Sequence, residues 1–192
     1  ICSWGIPLAE AYGVRLPIAY TGPVPPQMQL MDVAEGTYVV FEHGPFDFET
    51  QNALLTAGDR ETCNTMTIGW CQLGRVWNLP VCTVYVRPER YTYEFMESHD
   101  YFTVSIFDPS WKAMINDCGR RSGRDVDKVK AHNLTVCYGE GDAPYFAQAE
   151  LVLVCRKRFA QPMDPANIPQ DVKEKWYPNQ DYHTMYIGEI VE

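Results

Sequence analysis

The sequence predicts a mainly β fold, a small antiparallel barrel with short helical insertions. Three observations carry this. Aromatic residues make up 13% of the chain, with 12 Tyr and 5 Trp, and such side chains fit a half-buried pleat. From Leu54 onward, short apolar or alternating runs recur between turn-forming residues. Helical spacing with clear end signals is confined to a few short stretches.

Residues 1–35 read as irregular, rich in proline (Pro7, Pro17, Pro23, Pro25, Pro26). A strand follows at 36–42, and His43-Gly44-Pro45 breaks it. Thr65-Met-Thr-Ile-Gly-Trp70 alternates, placing Met66, Ile68 and Trp70 on one face. Val81–Val86 is an apolar strand closed by Arg87-Pro88. In Tyr101–Phe107, Phe102, Val104 and Ile106 share a face against Thr103 and Ser105. Asp108-Pro109 opens a helix, with Asp as N-cap and Pro at the first helical position. Its apolar face is Trp111, Met114, Ile115 and Cys118, and Gly119 is read as its terminator. Short helices are expected at 124–131 and 169–175. Glu150–Cys155 is nearly continuous in apolar residues, the pattern of a strand buried on both sides. Thr184–Val191 alternates and supplies another strand.

The length of 192 residues fits one domain, or one domain with an appendage. Net charge is 16 − 25 = −9, which argues against nucleic acid or an anionic membrane as partner. Residues 1–53 carry one basic side chain (Arg15) and six acidic ones; residues 54–192 carry 15 and 19. No apolar run reaches the ~18–20 residues needed to cross a bilayer, and the opening ICSWGIPLAEAYG has no secretory-signal pattern. Seven cysteines, an odd number without a Cys-x-x-Cys pair, predict free thiols in a reducing cytoplasm and no zinc ribbon.

Three segments offer chemistry. In Arg120–Lys130 five basic residues fall within eleven positions, and Ser122-Gly123 precedes an expected helix start. Backbone N–H groups and cations there suit a phosphate; a solvated helix with local pairing among Arg124, Asp125, Asp127 and Lys128 suits the same residues. In Asn64–Trp70 a glycine before a tryptophan permits close approach of a planar ligand, or marks a bulge in a half-buried strand. In Arg87-Pro-Glu-Arg-Tyr-Thr-Tyr93 two arginines and a threonine at a strand end suit an anion, or Arg90 pairs with Glu94. The four histidines (43, 99, 132, 183) are scattered, His183 fits a structural role best, and no His-Glu-x-x-His, Gly-x-Ser-x-Gly, Gly-x-Gly-x-x-Gly or P-loop occurs.

Seven collinear motifs carry a resemblance. They are Leu55–Asp59, Asn64–Trp70, Gly74–Pro80, Val86–Glu94, Asp100–Ser105, Ser122–Lys128 and Asp181–Glu189. Over residues 54–192 the chain resembles the flavin reductase-like, FMN-binding split-barrel family, its flavoredoxin-like branch most of all. The resemblance implies a six-stranded antiparallel Greek-key split barrel, a homodimer, and FMN bound noncovalently near the dimer interface. It implies that Thr67, Ile68, Gly69 and Trp70 line the isoalloxazine with their backbone, and that Asn64 also belongs to the cofactor site. Arg87, Arg90, Tyr91 and Thr92 would lie along the ribityl phosphate, and Pro88 also belongs to the cofactor site. Ser122, Gly123, Arg124 and Lys128 supply further contacts to FMN or to an incoming nicotinamide nucleotide. Residues 1–53 depart from this pattern. Met28–Glu49 resembles a piece of a gyrase-inhibitor-like effector-binding domain, an appendage whose strand at 36–42 either pairs with a barrel edge or stays without fixed structure.

The implied activity is an NAD(P)H-dependent flavin oxidoreductase that passes electrons through bound FMN to a small-molecule or protein acceptor. The chemistry resides in the flavin, and no catalytic side chain is assigned. Two other readings stand beside it: an FMN-bound electron carrier without NAD(P)H activity, which needs the same pocket, and a small-molecule-sensing module that uses the N-terminal appendage.

Overall fold

A computed structural model describes residues 29–34, 37–41 and 53–192. The chain divides into two compact units, residues 1–47 and 48–192. In the first, strands β1 (Gln29–Ala34) and β2 (Thr37–Phe41) form an antiparallel pair, Gln29 opposite Phe41 and Ala34 opposite Thr37. The strand expected at 36–42 is therefore present, but its partner is β1, in a segment the sequence marked as irregular. Leu30, Met31 and Val33 break strict alternation, so β1 carries no strand period. The proline-rich residues 1–28 lie outside the described residues.

The second unit is built on one seven-stranded antiparallel sheet. Its strands are β3 (Ala53–Gly58), β4 (Cys63–Ile68), β5 (Cys71–Val76), β6 (Leu79–Val86), β7 (Tyr101–Ile106), β10 (Leu151–Pro162) and β11 (Thr184–Ile190). The order is β4-β3-β7-β10-β11-β6-β5. The two edge strands, β4 and β5, are consecutive in the chain, and only Gly69-Trp70 links them. The sheet is thus an open barrel, split at that link.

The count is seven strands where six were expected. The apolar patterning names neither β3 nor β5, and no residue of β5 is fully buried. β5 is joined to β6 by Trp77 and Asn78, both at positive φ (55° and 60°), as a two-residue hairpin turn requires. The Glu150–Cys155 expectation also grows. β10 extends to Pro162, pairing through its first half with β7 and through its second with β11, across an irregularity between Lys157 and Phe159.

Among the described residues four helices decorate the sheet: α1 (Tyr91–Ser98), α2 (Lys112–Arg120), α3 (Lys128–Ala131) and α4 (Gln170–Trp176). Two short strands, β8 (Val136–Tyr138) and β9 (Pro144–Phe146), pair separately. Asp108 caps a 3-10 turn at Pro109–Trp111, accepting from Ser110 N at 2.8 Å, before α2 begins. Gly119 does not end α2, which runs through it to Arg120; Thr67 packs against Gly119 instead. No helix among the described residues is long and apolar enough to cross a membrane.

α2 lays Met114, Ile115 and Cys118 against Leu54, Phe107 and Phe146. Inside the barrel, Phe102 (1% exposed) sits over Gly188, where a Cβ would stand 2.5 Å from the phenyl Cζ. Both faces of β7 are buried, Thr103 and Ser105 included; Thr103 Oγ1 donates to Pro144 O at 2.7 Å. Gly188→Ala should destabilise the fold by about 1–3 kcal/mol through overpacking. Urea midpoints of the two proteins measure this, and equal midpoints would mean that Phe102 can yield.

Candidate functional site

The loop after β6 and the loop after α2 converge on the middle of β4. β6 ends at Val86, and a turn closes with Arg90 N donating to Arg87 O at 3.1 Å. This starts α1 and places Tyr91 and Thr92 beside Asn64. The Asn64 Nδ2 donates to Thr92 Oγ1 at 2.7 Å. On its other side Asn64 faces Gly123, where a Cβ would come within 1.8 Å of Asn64 Oδ1. Only glycine admits this approach.

Two adjoining cavities open here and share Asn64, Tyr91, Gly123 and Lys128. The narrower, about 160 Å³, is lined also by Arg90, Arg120 and Arg121, with Glu89 as its carboxylate. The wider, about 480 Å³, runs along Glu61–Thr65 and the loop 123–130 to Val136.

The cations differ in how far they are already engaged. Arg90 donates to Gly119 O at 3.1 Å and has no carboxylate partner among the described residues; the Arg90–Glu94 pairing is not formed. Arg120 lines the cavity without a carboxylate partner among them either. Arg121 arrives paired, its Nε 2.7 Å from Asp117 Oδ1. His132 Nε2 lies 2.6 Å from Asp117 Oδ2. Arg121, with His132 adding, holds the Asp117 carboxyl down at about 2. Arg124 is turned to Glu94 and to Glu89 O, and lies 4.7 Å from the Tyr91 ring centre. Lys128 is 5% exposed and donates to Thr65 O at 2.7 Å and Cys118 O at 2.8 Å. It ties β4 to the C-terminal end of α2, where helix carbonyls lack helical partners. Burial pushes its pKa below the ordinary lysine value.

The loop Ser122–Asp127 is not the helix start that the sequence led us to expect. Ser122 O accepts from Asp125 N and Val126 N, and Ser122 Oγ accepts from Arg124 N, all at 3.1 Å. Helix α3 begins only at Lys128, capped by Asp127. The pairing expected among Arg124, Asp125, Asp127 and Lys128 is not formed among the described residues: Asp127 pairs with Lys130 instead, and Arg124 and Lys128 are drawn to other elements.

Arg87 lies apart from these cavities' cations. It is paired with Asp181, donates to Trp176 O at 2.8 Å, and sits over Tyr177. Pro88 is an exposed member of the turn. At the end of β4, Thr67 Oγ1 donates to Ile115 O, Ile68 is buried in the core, and Gly69 is open, with no atom within 4 Å of its would-be Cβ. Trp70 does not continue the strand. It is 38% exposed, edge-on to Trp176 at 5.6 Å, with its ring centre 4.6 Å from that of His183. Sequence reasoning thus found most of the convergence but assigned no role to Arg120 or Arg121 individually; their signal was the density of basic residues in 120–130.

His183 is buried, and its Nδ1 lies 2.9 Å from Tyr177 Oη. Burial, reinforced by the Arg87 charge, lowers its pKa from 6.5 to about 4. Between those values the unfolded chain takes up a proton that the native protein refuses. Stability from this group is therefore complete above about pH 6.5 and is lost as pH falls toward 4, by at most ~3 kcal/mol. Urea midpoints at pH 7 and 4.5 should differ less in His183→Gln than in the parent protein; an unchanged difference would remove His183 from the acid response.

Comparison with known proteins shows the family. The family described as "Flavin reductase like domain" matches residues 46–192. The chain belongs to the flavin reductase-like family. Among solved structures, flavoredoxin from Methanosarcina acetivorans is 26% identical, with a TM-score of 0.58 over 74% of this chain and 66% of that one. The chain therefore spans just under two thirds of that relative's length. Flavoredoxin of Desulfovibrio vulgaris (Miyazaki F) is 24% identical, with a TM-score of 0.58 over 73% and 67%. An NADH:FAD oxidoreductase from Streptomyces globisporus, solved with NAD and FAD fragments, is 16% identical, with a TM-score of 0.55 over 74% and 73%. These last two likenesses concern the fold. A search of curated protein sequences returned no match.

Proposed function

We propose that the chain binds FMN and is an NAD(P)H-dependent flavin oxidoreductase that passes electrons to a small-molecule or protein acceptor. One observation carries the reading. In a protein of net charge −9, Arg90, Arg120 and Lys128 converge on one narrow cavity with no carboxylate partner among the described residues. A doubly charged phosphate suits that cavity. The flavin fits the residues present: Asn64 Oδ1 accepts no hydrogen bond from the described residues, Gly69 leaves the end of β4 open to a ring, and Trp70 offers an exposed aromatic surface.

A bound flavin would supply the two-electron redox chemistry. The chain's own task is binding and orientation. Arg90 and Arg120 would hold the phosphate, Asn64 would offer its free Oδ1 to a polar group of the ligand, and the backbone of Thr67–Trp70 would flank the ring. Arg87 acts by anchoring α4 through Asp181 and Trp176 rather than by touching phosphate. No side chain is asked to move a proton for hydride transfer.

The purified or FMN-reconstituted protein should absorb at about 370–450 nm, as oxidised flavins do. The bands should bleach with NADH or NADPH in stopped flow. Lack of any flavin binding would end the reading; a bound flavin that neither nucleotide bleaches would make the protein an electron carrier. The reading also includes a homodimer, which would cover the exposed Trp70, Trp77 and Trp176. Light scattering at the chain mass of 22.0 kDa would contradict that.

A further inference from the structure

Three cysteines share one face of the sheet, running inward from its split edge. Cys71 opens β5 directly after Trp70, and its Sγ lies 3.5 Å from Cys82 Sγ on β6. The register explains the contact. Cys71 is opposite Val84 and Leu73 opposite Cys82, so the two cysteines are diagonal neighbours with side chains on the same face. Cys82 in turn is opposite Gly188 on β11. Gly188 puts no side chain between the strands, and a Cβ there would stand 2.8 Å from Cys155 Cβ. Cys82 and Cys155 are buried, whereas Cys71 is half-buried. Solvent therefore reaches one thiol that already has a second in contact. The half-buried Cys63 and Cys137 have no sulfur partner among the described residues.

We infer that Cys71 and Cys82 are a redox-active pair, which hydrogen peroxide closes to a disulfide that staples the edge strand β5 to β6 and that thiols reopen. Closing brings the sulfurs from 3.5 Å to about 2.05 Å. β5 pairs on one side only, so it can give by that amount. First the Cys71 thiolate attacks one peroxide oxygen. The O–O bond breaks, hydroxide leaves, and Cys71 becomes a sulfenic acid. Then the Cys82 sulfur attacks the Cys71 sulfur. The S–S bond forms, the S–O bond breaks, and the departing hydroxide takes the Cys82 proton. Two thiols lose two electrons and two protons, and one peroxide becomes two waters. The contact with Cys82, then burial, pushes the Cys71 thiol well above the ordinary value, and Cys155 does the same to Cys82. Little thiolate is present at pH 7, so the staple sets slowly under sustained peroxide and is no fast sensor. It closes a loop that holds Arg75 and the Trp77-Asn78 turn. Neither cysteine borders either cavity, so the inference stands apart from the phosphate and flavin assignments.

The test treats the full chain with hydrogen peroxide, blocks the remaining thiols with N-ethylmaleimide and digests it with trypsin without reduction. Peptides 61–75 and 76–90 should appear joined, about 2 Da below their summed masses, and dithiothreitol should separate them. Fragment ions should place the link on Cys71 and not on Cys63. In brief digestion of the native protein, trypsin should cut after the exposed Arg75 at least about fivefold more slowly once the pair is closed, because an edge strand must open locally to be cut. Dithiothreitol should restore the rate. Cys71→Ser should show neither the joined peptides nor the slowing. Both readouts are made on the parent protein, so they decide even if that variant folds poorly. No joined peptides, a link through Cys63 or Cys155, or oxidation of Cys71 only to acids that dithiothreitol does not reverse overturns the pair. An unchanged rate at Arg75 overturns the staple.

Discussion

Arg90→Ala and Arg120→Ala should each weaken FMN binding by about ten- to a hundredfold, whereas Arg124→Ala should cost less than tenfold. The phosphate of FMN is largely dianionic at pH 7, and a chain of net charge −9 repels it at long range. Cations at contact distance must offset that field, because screening acts least there. A hydrogen bond to a charged group is worth about 1.5–3 kcal/mol, which gives the factor stated. Arg90 and Arg120 enter the narrow cavity without carboxylate partners among the described residues, while Arg124 is already held by Glu94 and Glu89 O. Arg156, exposed in the middle of β10, is the control. Fluorescence titration of apo-protein measures all four. Equal affinities across the set would remove the phosphate assignment without excluding a flavin ring beside Trp70.

Lys128→Met should destabilise the fold by about 2–4 kcal/mol, a shift of roughly 5–15 °C in Tm for a chain of this size. The methionine fills the space but leaves Thr65 O and Cys118 O without the donor that reached them at 2.7 and 2.8 Å. Two buried carbonyls then lack partners, and that outweighs the relief of no longer burying an ammonium. Differential scanning calorimetry tests this. A Tm within 2 °C of the parent, a bound set on the ~2–4 °C expected per kcal/mol, would mean that water enters and replaces the amine.

What the sequence made legible was periodicity and density. The alternation of Thr184–Val191 and the apolar run of Glu150–Cys155 named their strands because side-chain period reports burial directly. β5 escaped because an edge strand with few buried residues has no such period, and because its turn uses Trp77-Asn78 where glycine is the usual signal. The family resemblance reached Asn64, Arg90, Tyr91, Thr92, Gly123 and Lys128, which the structure gathers around two cavities. It does not distinguish a free cation from an occupied one. Arg87 and Arg124 read like Arg90 in sequence, yet Asp181 lies 94 positions from Arg87 and Glu94 lies 30 from Arg124. Such pairings exist only once the sheet is assembled. Gly119 misled for a similar reason. A glycine near a helix end signals termination, but here the neighbour that demands it is Thr67 on a distant strand.

The strand order has a consequence for how the chain comes together during synthesis. β3, β4 and β7 on one side, and the β5–β6 hairpin on the other, are made first, and only β10 and β11 bridge them. Until those two have been made, the growing chain holds two half-sheets with open edges, each able to recruit the wrong partner. High sequence separation of the bridging pairs also makes the closing step slow. Truncation after residue 183, which removes β11, should therefore yield not a weakened barrel but two unjoined hairpin systems. Loss of soluble expression, with β5–β6 the first region open to proteolysis, is the expected result.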